Sequence, residues 1–172
     1  MAAIKRILIA NRGEIAVRII RTCRTLGIET VLAVSEADRD TLGAKLATRA
    51  VCIGPARSTD SYLKVGTIVE AAIGTGCDAI HPGYGFLSEN EKLAEACSEN
   101  QIIFIGPQTA HLKAVGDKLT ARRHAVDAKV PLVPGGNVSN PQEAIALAPD
   151  IGFPLLIKAV SGGGGRGMKR VD

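Results

Sequence analysis

Apolar runs and amphipathic stretches alternate over residues 1–112. Stretches in which apolar residues recur every three or four positions predict helices between Glu14 and Gly27 and over residues 61–72 and 88–100. Short runs rich in β-branched residues predict buried strands between these helices. The strands are residues 4–10, 29–34, 50–53, 79–81 and 102–105. The alternation predicts a doubly wound α/β domain, in which helices cover both faces of a mainly parallel sheet.

Polar residues at the predicted helix ends suggest where two of these helices begin. Asn11 precedes Glu14 by three residues, as in a capping box, and Gly27 is placed to end the same helix. Ser88 and Glu91 have the same spacing and predict a second capped start. The apolar face predicted for the first helix consists of Ile15, Ile19, Cys23 and Leu26.

The chain changes character after residue 112. Helical patterns over residues 109–115 and 117–129 are followed by a Pro/Gly cluster at residues 130–137, which predicts a boundary. Asn140, with Pro at the next position and Glu143 three residues later, predicts another helix start. We therefore predict three parts, namely a domain at residues 1–112, a helical connection at 113–134 and the start of a second domain at 135–172.

Composition and charge narrow the function classes. The chain has 172 residues, of which 46% are hydrophobic and 22% charged, with a net charge of +4 and no Trp. Its basic residues are dispersed without stacking aromatics between them, which favours a small anionic ligand over nucleic acid. No apolar stretch reaches the length of a membrane span or of a signal peptide. The four cysteines form no CxxC pair, so we expect buried thiols and no metal site. Free thiols are typical of a reducing compartment, so we also expect a cytoplasmic location.

A run of four glycines lies between two strands predicted at residues 155–159 and 168–171. Gly162, Gly164 and Gly167 formally match GxGxxG, but no helix start follows and no GK[ST] is present, which excludes a Rossmann fingerprint and a P-loop. Glycines without Cβ atoms allow consecutive backbone N–H groups to point at anionic oxygens. The run predicts a phosphate-binding flap, with a flexible hairpin tip as the alternative.

The strand before the glycines carries a fitting pair of side chains. Period-two alternation places Leu156 and Lys158 on one face, an apolar surface followed by an ammonium group. Met168 on the returning strand is placed to cover a base, and Arg166 adds positive charge beside the flap. This order of side chains suits a nucleotide.

Three further motifs are less decisive on their residues alone. The stretch HPGYGFLSEN contains Tyr84 between two glycines, where a ligand contact and a plain loop are about equally supported, and His81, which is a base or a structural side chain. Asn11 to Glu14 follows a predicted strand, at the edge that lines the ligand crevice of a doubly wound sheet, but a plain capping turn is the simpler interpretation. Lys118 stands at a helix start, where a solvated surface lysine is the simpler interpretation.

The motifs together resemble those of biotin carboxylases. The stretches are ANRGEIAVRIIR, HPGYGFLSEN, FIGP, GDK and KAVSGGGGRGM, in this order over nearly the whole chain. The resemblance implies a Rossmann-like pre-ATP-grasp domain followed by the truncated start of an ATP-grasp domain. It also implies that ATP phosphorylates bicarbonate to carboxyphosphate, which supplies CO₂ to carrier-bound biotin.

The resemblance assigns roles to individual residues. Lys118 and Lys158 are expected to bind ATP, Gly164 and Gly165 to cover its phosphates with Arg166 beside them, and Leu156 and Met168 to line the adenine pocket. Tyr84 and Gly85 are expected in a loop on the biotin side. Arg18 and Arg21 are expected in a homodimer interface.

The resemblance places the remaining chemistry outside the chain. The ligands of Mg²⁺ or Mn²⁺, the bicarbonate-binding arginine and the general base are expected beyond Asp172, so we expect no catalytic residue and no turnover by residues 1–172 alone. The implied partners are ATP, bicarbonate, a biotin carboxyl carrier and a carboxyltransferase, and the final acyl acceptor is left open. Another ATP-grasp ligase, of the carbamoyl-phosphate or purine-pathway type, and a noncatalytic binding module are the alternatives.

Overall fold

The chain forms two compact units in the computed structural model, Met1–Gly116 and Asp117–Asp172, referred to below as unit 1 and unit 2. The structure describes residues 4–116, 118–159 and 167–172, without the side chains of residues 118 and 119.

Unit 1 contains a five-stranded sheet in which all the strands are parallel. The strands are β1 (Arg6–Ile9), β2 (Glu29–Val34), β3 (Arg49–Cys52), β4 (Ala79–His81) and β5 (Ile103–Phe104). Their order in the sheet is β3-β2-β1-β4-β5, and the register pairs Ile7 with both Thr30 and Ala79. The chain reverses its direction of progress across the sheet between β1 and β4, as in doubly wound folds.

The helices of unit 1 pack on both faces of this sheet, as predicted. They are α1 (Gly13–Thr25), α2 (Leu42–Leu46), α3 (Val65–Gly74), α4 (Glu91–Glu99) and α5 (Thr109–Gly116). Ile7 and Ile9 of β1 pack with α1 and α2 on one face, whereas Leu8 packs with α3 and α4 on the other. Alternate β1 side chains thus enter two separate cores, which explains the unbroken apolar run in this strand.

The predicted start of α1 is wrong, although its end is confirmed. Helix α1 begins at Gly13 after Arg12, and Asn11 makes no cap because its side chain is used elsewhere. Gly27 adopts a φ of 70°, and the N–H of Ile28 donates to the carbonyl of Cys23 at 2.8 Å, which closes the helix end.

The buried face of α1 also differs from the predicted one. Cys23 is buried as expected, together with Ala16 and Ile20, whereas Leu26 is 66% exposed. Ile19 is half-buried and packs against the same core. Ile15, Ile19 and Leu26 also line a surface groove of about 440 Å³ beside β1.

Other boundaries in unit 1 shift because local caps differ from the expected ones. Helix α4 begins at Glu91 after Asn90, whose side chain accepts from the N–H of Leu93 at 3.1 Å, so Ser88 is not the cap. Helix α3 begins at Val65 rather than residue 61, because a short 3₁₀ turn, Ser58–Asp60, precedes it. The short helix α2 was not predicted from the sequence.

The described residues of unit 2 form helices α6 (Lys118–Asp127) and α7 (Pro141–Ile151) and a hairpin of β6 (Leu155–Lys158) and β7 (Met168–Val171). The predicted start of α7 is confirmed, since the Asn140 side chain accepts from the N–H of Glu143 at 2.9 Å. The Arg122 guanidinium donates to the carbonyls of Val133 and Gly135 and thereby fixes the Pro/Gly cluster on unit 2.

The thiols are not all buried, contrary to expectation. Cys23, Cys77 and Cys97 are buried, but Cys52 is exposed at the end of edge strand β3. In the part of the chain that the structure describes, no helix combines the length and apolar character needed to cross a bilayer.

Candidate functional site

Hairpin β6–β7 carries the predicted nucleotide-binding side chains. The strands are antiparallel, and the register sets Lys158 opposite Met168 and Leu156 opposite Arg170. Directly opposite residues of an antiparallel pair lie on the same face. Leu156, Lys158, Met168 and Arg170 therefore share one face of the hairpin, while Ile157 and Lys169 share the other.

This face is open at the surface of unit 2. Leu156 is 55% exposed and Met168 47% exposed, and Lys158 is also exposed. Arg170 donates to the Asp172 carboxylate at 2.8 Å and is thus paired within its own strand end. The face accordingly presents two apolar side chains beside an ammonium group, an arrangement that accepts an aromatic ring linked to an anion.

A backbone hydrogen bond joins the two strands of the hairpin next to its loop. The N–H of Ala159 donates to the carbonyl of Gly167 at 2.8 Å. Gly167 has a φ of 73°, and a Cβ atom there would lie 2.9 Å from the Cβ of Ala159. Glycine is required at this position because of both the backbone angle and the space. Gly164, Gly165 and Arg166 lie outside the described residues, as does the side chain of Lys118.

A second candidate region lies in unit 1, where the carboxyl ends of β1 and β4 adjoin. In doubly wound sheets the ligand crevice forms at this point of strand reversal. The turn after β1, Asn11–Glu14, and the loop after β4, Pro82–Phe86, meet here. We refer to them as the 11–14 turn and the 82–86 loop.

Asn11 joins the two segments. Its side chain is 2% exposed, and its Nδ2 donates to the carbonyls of Pro82 and Tyr84, both at 2.8 Å. Its Oδ1 accepts from the N–H of Arg12 at 2.9 Å. All of the amide's polar atoms are thus used, so the sequence prediction of a helix cap missed a connection between distant parts of the chain.

Tyr84 and Gly85 lie on the exposed side of the 82–86 loop. The Tyr84 ring is 64% exposed, and its hydroxyl donates to Oε1 of Glu14. This hydrogen bond raises the pKa of Tyr84 because the carboxylate favours the protonated phenol. Gly85 has a φ of 68° with no atom within 4 Å of where a Cβ would lie, whereas at Gly83 a Cβ would lie 2.7 Å from Ile15.

A charged and aromatic cluster anchors the end of the 82–86 loop. The rings of Tyr62 and Phe86 stack at 4.9 Å, and the Arg12 guanidinium lies 5.5 Å from both ring centroids. Arg12 also faces the Asp38 carboxylate at 3.5 Å. These four residues were not singled out from the sequence. The left-handed backbone of Phe86, with a φ of 42°, has no signal in the residue type.

Hydrogen bonds set the ionisation of this cluster. The Asp38 carboxylate accepts from the hydroxyls of Ser35 and Tyr62 at 2.6 and 2.8 Å. Burial raises the pKa of Asp38, but these hydrogen bonds and the Arg12 charge outweigh it, so the pKa lies below its ordinary value. Burial raises the pKa of Tyr62 to about 12.

His81 is structural in this arrangement. Its Nδ1 accepts from the N–H of Gly83 at 3.0 Å, and burial lowers the pKa of the imidazole. A neutral ring with Nδ1 as acceptor supports the turn into the 82–86 loop. Of the two interpretations left open by the sequence, the geometry favours the structural side chain over the base.

Arg18 and Arg21 lie exposed on α1, away from the sheet. They line an open groove of about 680 Å³ together with Glu14, Thr41 and Leu42. Within residues 4–116, 118–159 and 167–172, no three His, Cys, Asp or Glu side chains are grouped so as to hold a metal ion.

Two family models match the chain, one for each unit. Residues 3–112 match "Biotin carboxylase, N-terminal domain", and residues 117–172 match "Carbamoyl-phosphate synthase L chain, ATP binding domain". Biotin carboxylase 1 of Bacillus subtilis is 55% identical over 168 residues, which are 96% of this chain and 37% of that protein.

Solved structures agree with the family matches. The biotin carboxylase of Campylobacter jejuni in complex with β-γ-ATP superposes with a TM-score of 0.93 at 46% identity, over 99% of this chain and 39% of that one. The biotin carboxylase domain dimer of Hydrogenobacter thermophilus 2-oxoglutarate carboxylase, solved with MgADP, ADP and bicarbonate, gives 0.92 at 44% identity, over 99% and 38%.

The matches define an α/β protein in which a biotin carboxylase N-terminal domain is followed by a segment that matches an ATP-binding domain. The chain belongs to the biotin carboxylase family. It spans 37–39% of the length of the three relatives named above.

Proposed function

We propose that the protein containing this chain carboxylates carrier-bound biotin at the expense of ATP and bicarbonate. The observation that carries the proposal is the open face of hairpin β6–β7, where Lys158 lies opposite Met168 and beside Leu156. Membership of the biotin carboxylase family supports it, as do the nucleotide and bicarbonate complexes of the solved relatives.

Three side chains on that face have a role in holding ATP. Leu156 and Met168 line the adenine pocket, and the Lys158 ammonium neutralises phosphate charge. We assign Lys118, Gly164, Gly165 and Arg166 to the same nucleotide on the strength of the family resemblance. Backbone N–H groups of the glycines donate to phosphate oxygens, which requires no side chain.

The reaction proceeds in two parts. A bicarbonate oxygen attacks the γ-phosphorus of ATP, the bond to ADP breaks, and carboxyphosphate forms. Its breakdown gives inorganic phosphate and CO₂, to which the deprotonated ureido nitrogen of biotin adds. The chain's own contribution is to hold and orient ATP for the first part. We place the metal ligands, the bicarbonate-binding arginine and the general base outside residues 1–172.

The remaining assignments concern partners. We assign Tyr84 and Gly85 to the side that receives biotin, and Arg18 and Arg21 to a homodimer interface. The relative from H. thermophilus is a biotin carboxylase domain dimer, which supports the second assignment. A biotin carboxyl carrier delivers biotin, and a carboxyltransferase consumes carboxybiotin in a cytoplasmic reaction. The final acceptor is left unassigned, because it binds to the carboxyltransferase.

One other activity has a specific observation in its favour. Residues 117–172 match an ATP-binding domain described for carbamoyl-phosphate synthase. A ligase of that type transfers the activated carbon to ammonia instead of biotin.

A labelled-bicarbonate assay separates these possibilities. The full-length protein containing residues 1–172 is incubated with ATP and ¹⁴C-bicarbonate, with biotin, with ammonia, or with neither. We expect acid-labile label in carboxybiotin and ATP cleavage that rises with biotin. Label transferred to ammonia would favour the carbamoyl-phosphate type, and nucleotide binding without turnover would identify a binding module.

A further inference from the structure

Three of the four residues in the 11–14 turn contact the 82–86 loop. Asn11 bonds the carbonyls of Pro82 and Tyr84, Arg12 lies over the Phe86 ring, and Glu14 accepts from the Tyr84 hydroxyl. The contacting residues are about 70 positions apart in sequence. Two motifs that are far apart along the chain are therefore joined by direct contacts in the fold.

Tyr84 is held at both ends by residues of the 11–14 turn. Asn11 fixes its carbonyl from inside the fold, and Glu14 fixes its hydroxyl at the surface. The ring itself is 64% exposed, so packing does little to choose its rotamer. The direction of the ring is therefore set mainly by the hydrogen bond to Glu14.

The two ends of Tyr84 differ in what they contribute. The Asn11 bonds are buried, and their loss would leave the Pro82 carbonyl without its donor inside the fold. The Glu14 bond is exposed, and an exposed bond contributes little to folding stability. Its consequence is therefore orientation rather than stability.

We propose that Glu14 is a positioning residue that aims the Tyr84 ring toward biotin, with Asn11 and Arg12 holding the loop on which Tyr84 stands. This inference rests on the proposed function, since it assumes that the exposed side of the 82–86 loop receives biotin. It assigns to the 11–14 turn a role that its sequence, a plain capping turn, did not indicate.

Kinetics of three variants test the role. Glu14→Ala removes the acceptor, Glu14→Gln keeps an acceptor oxygen, and Tyr84→Phe removes the donor. In the full-length protein we expect Glu14→Ala to raise the KM for biotin by about three- to tenfold, as loss of one hydrogen bond allows, with the KM for ATP unchanged. Glu14→Gln should recover most of the loss.

The double variant provides the sharper result. If Glu14 acts through the Tyr84 hydroxyl, Glu14→Ala combined with Tyr84→Phe should raise the KM for biotin no further than Tyr84→Phe alone. Additive effects, or equal increases in the KM for biotin and for ATP, would overturn the inference. Glu70→Ala, an exposed glutamate on α3 at the opposite face of the sheet, is the matched control and should leave both values unchanged.

A titration of the 172-residue chain tests the contact independently of turnover. The chain has two tyrosines, and burial raises the pKa of Tyr62 to about 12, so Tyr84→Phe shows which phenolate absorbance step belongs to Tyr84. Glu14→Ala should move this step to lower pH, because the carboxylate raises the pKa of Tyr84. An unmoved step would refute the contact itself. If the step moves but the full-length protein does not carboxylate biotin, the contact between Glu14 and Tyr84 stands. The proposed function and the orientation of Tyr84 toward biotin are then refuted.

Discussion

At the scale of single residues, the Asp38 carboxylate illustrates how a charge is stabilised at the edge of the sheet. It accepts from Ser35 and Tyr62 and faces Arg12, while its side chain is only 16% exposed. Its lowered pKa means that folding favours the ionised form. The contribution to stability is therefore present above the unfolded pKa of about 3.9 and is lost as pH falls through the folded pKa.

Asp38→Asn should accordingly lower the free energy of unfolding at neutral pH by about 1–2 kcal/mol, since it removes charge-assisted hydrogen bonds. The difference from wild type should shrink as the pH falls below about 4, because Asp38 is then protonated in the unfolded chain, and it should vanish once the pH falls through the lower pKa of folded Asp38. Urea unfolding followed by circular dichroism at pH 7 and pH 3 measures both values. Asp40→Asn, an exposed neighbour, is the control. A difference that stays constant or grows on acidification would show that the Asp38 charge does not stabilise the fold.

Gly83 and Gly85 form a second test at this scale, because both have a φ of 68° but differ in the space around them. Alanine at either position should lose about 1–2 kcal/mol to the left-handed backbone. Gly83→Ala should lose about 1–3 kcal/mol more, since its Cβ would lie 2.7 Å from Ile15 and 2.8 Å from the Asn11 amide. Thermal unfolding of the two variants compares them. Equal losses would mean that the contact between loop and turn is not tight.

At the scale of elements, hydrophobic periodicity predicted which segments are strands and helices better than where they begin. Strand β2 and the end of α1 lie where the pattern placed them. The caps of α1 and α4 were wrong because a cap depends on which side chain reaches the free N–H groups. The Asn11 side chain bonds the 82–86 loop instead of capping α1, and Asn90 rather than Ser88 caps α4. Helix α2, with five residues, is too short for its period to be visible.

The two candidates for the cap of α4 give a direct test. Asn90→Ala should lower the stability of unit 1 by about 1 kcal/mol, because the N–H of Leu93 loses its acceptor. Ser88→Ala should change stability by less than about 0.5 kcal/mol, as ordinary substitutions away from caps do. Denaturant unfolding of both variants is the measurement. The reverse order would restore the capping box predicted from the sequence.

At the scale of the whole molecule, the two candidate regions differ in how far the sequence could predict them. The shared face of Leu156 and Lys158 follows from local alternation and was confirmed, because a strand fixes side-chain direction over a few residues. The contacts among Asn11, Arg12, Asp38 and Phe86 depend on strand order, which places β1 beside β4. No local pattern encodes that neighbourhood, so these contacts emerged only with the fold.

In the proposed reaction, ATP must be bound before bicarbonate can be activated. The central claim is that the Lys158 face of hairpin β6–β7 binds the nucleotide. Lys169 provides a control on the same hairpin, because the register places it opposite Ile157 on the other face. Both lysines are exposed and both are changed to alanine, so the two variants remove the same charge from opposite faces of the hairpin.

The most direct measurement is the dissociation constant for ATP, determined by titration calorimetry on the full-length protein containing this chain. Lys158→Ala should raise it by about 10- to 100-fold, the effect of losing a hydrogen bond to a charged phosphate. Lys169→Ala should change it by less than about twofold. Equal effects of the two substitutions, or none from Lys158→Ala, would contradict nucleotide binding on this face.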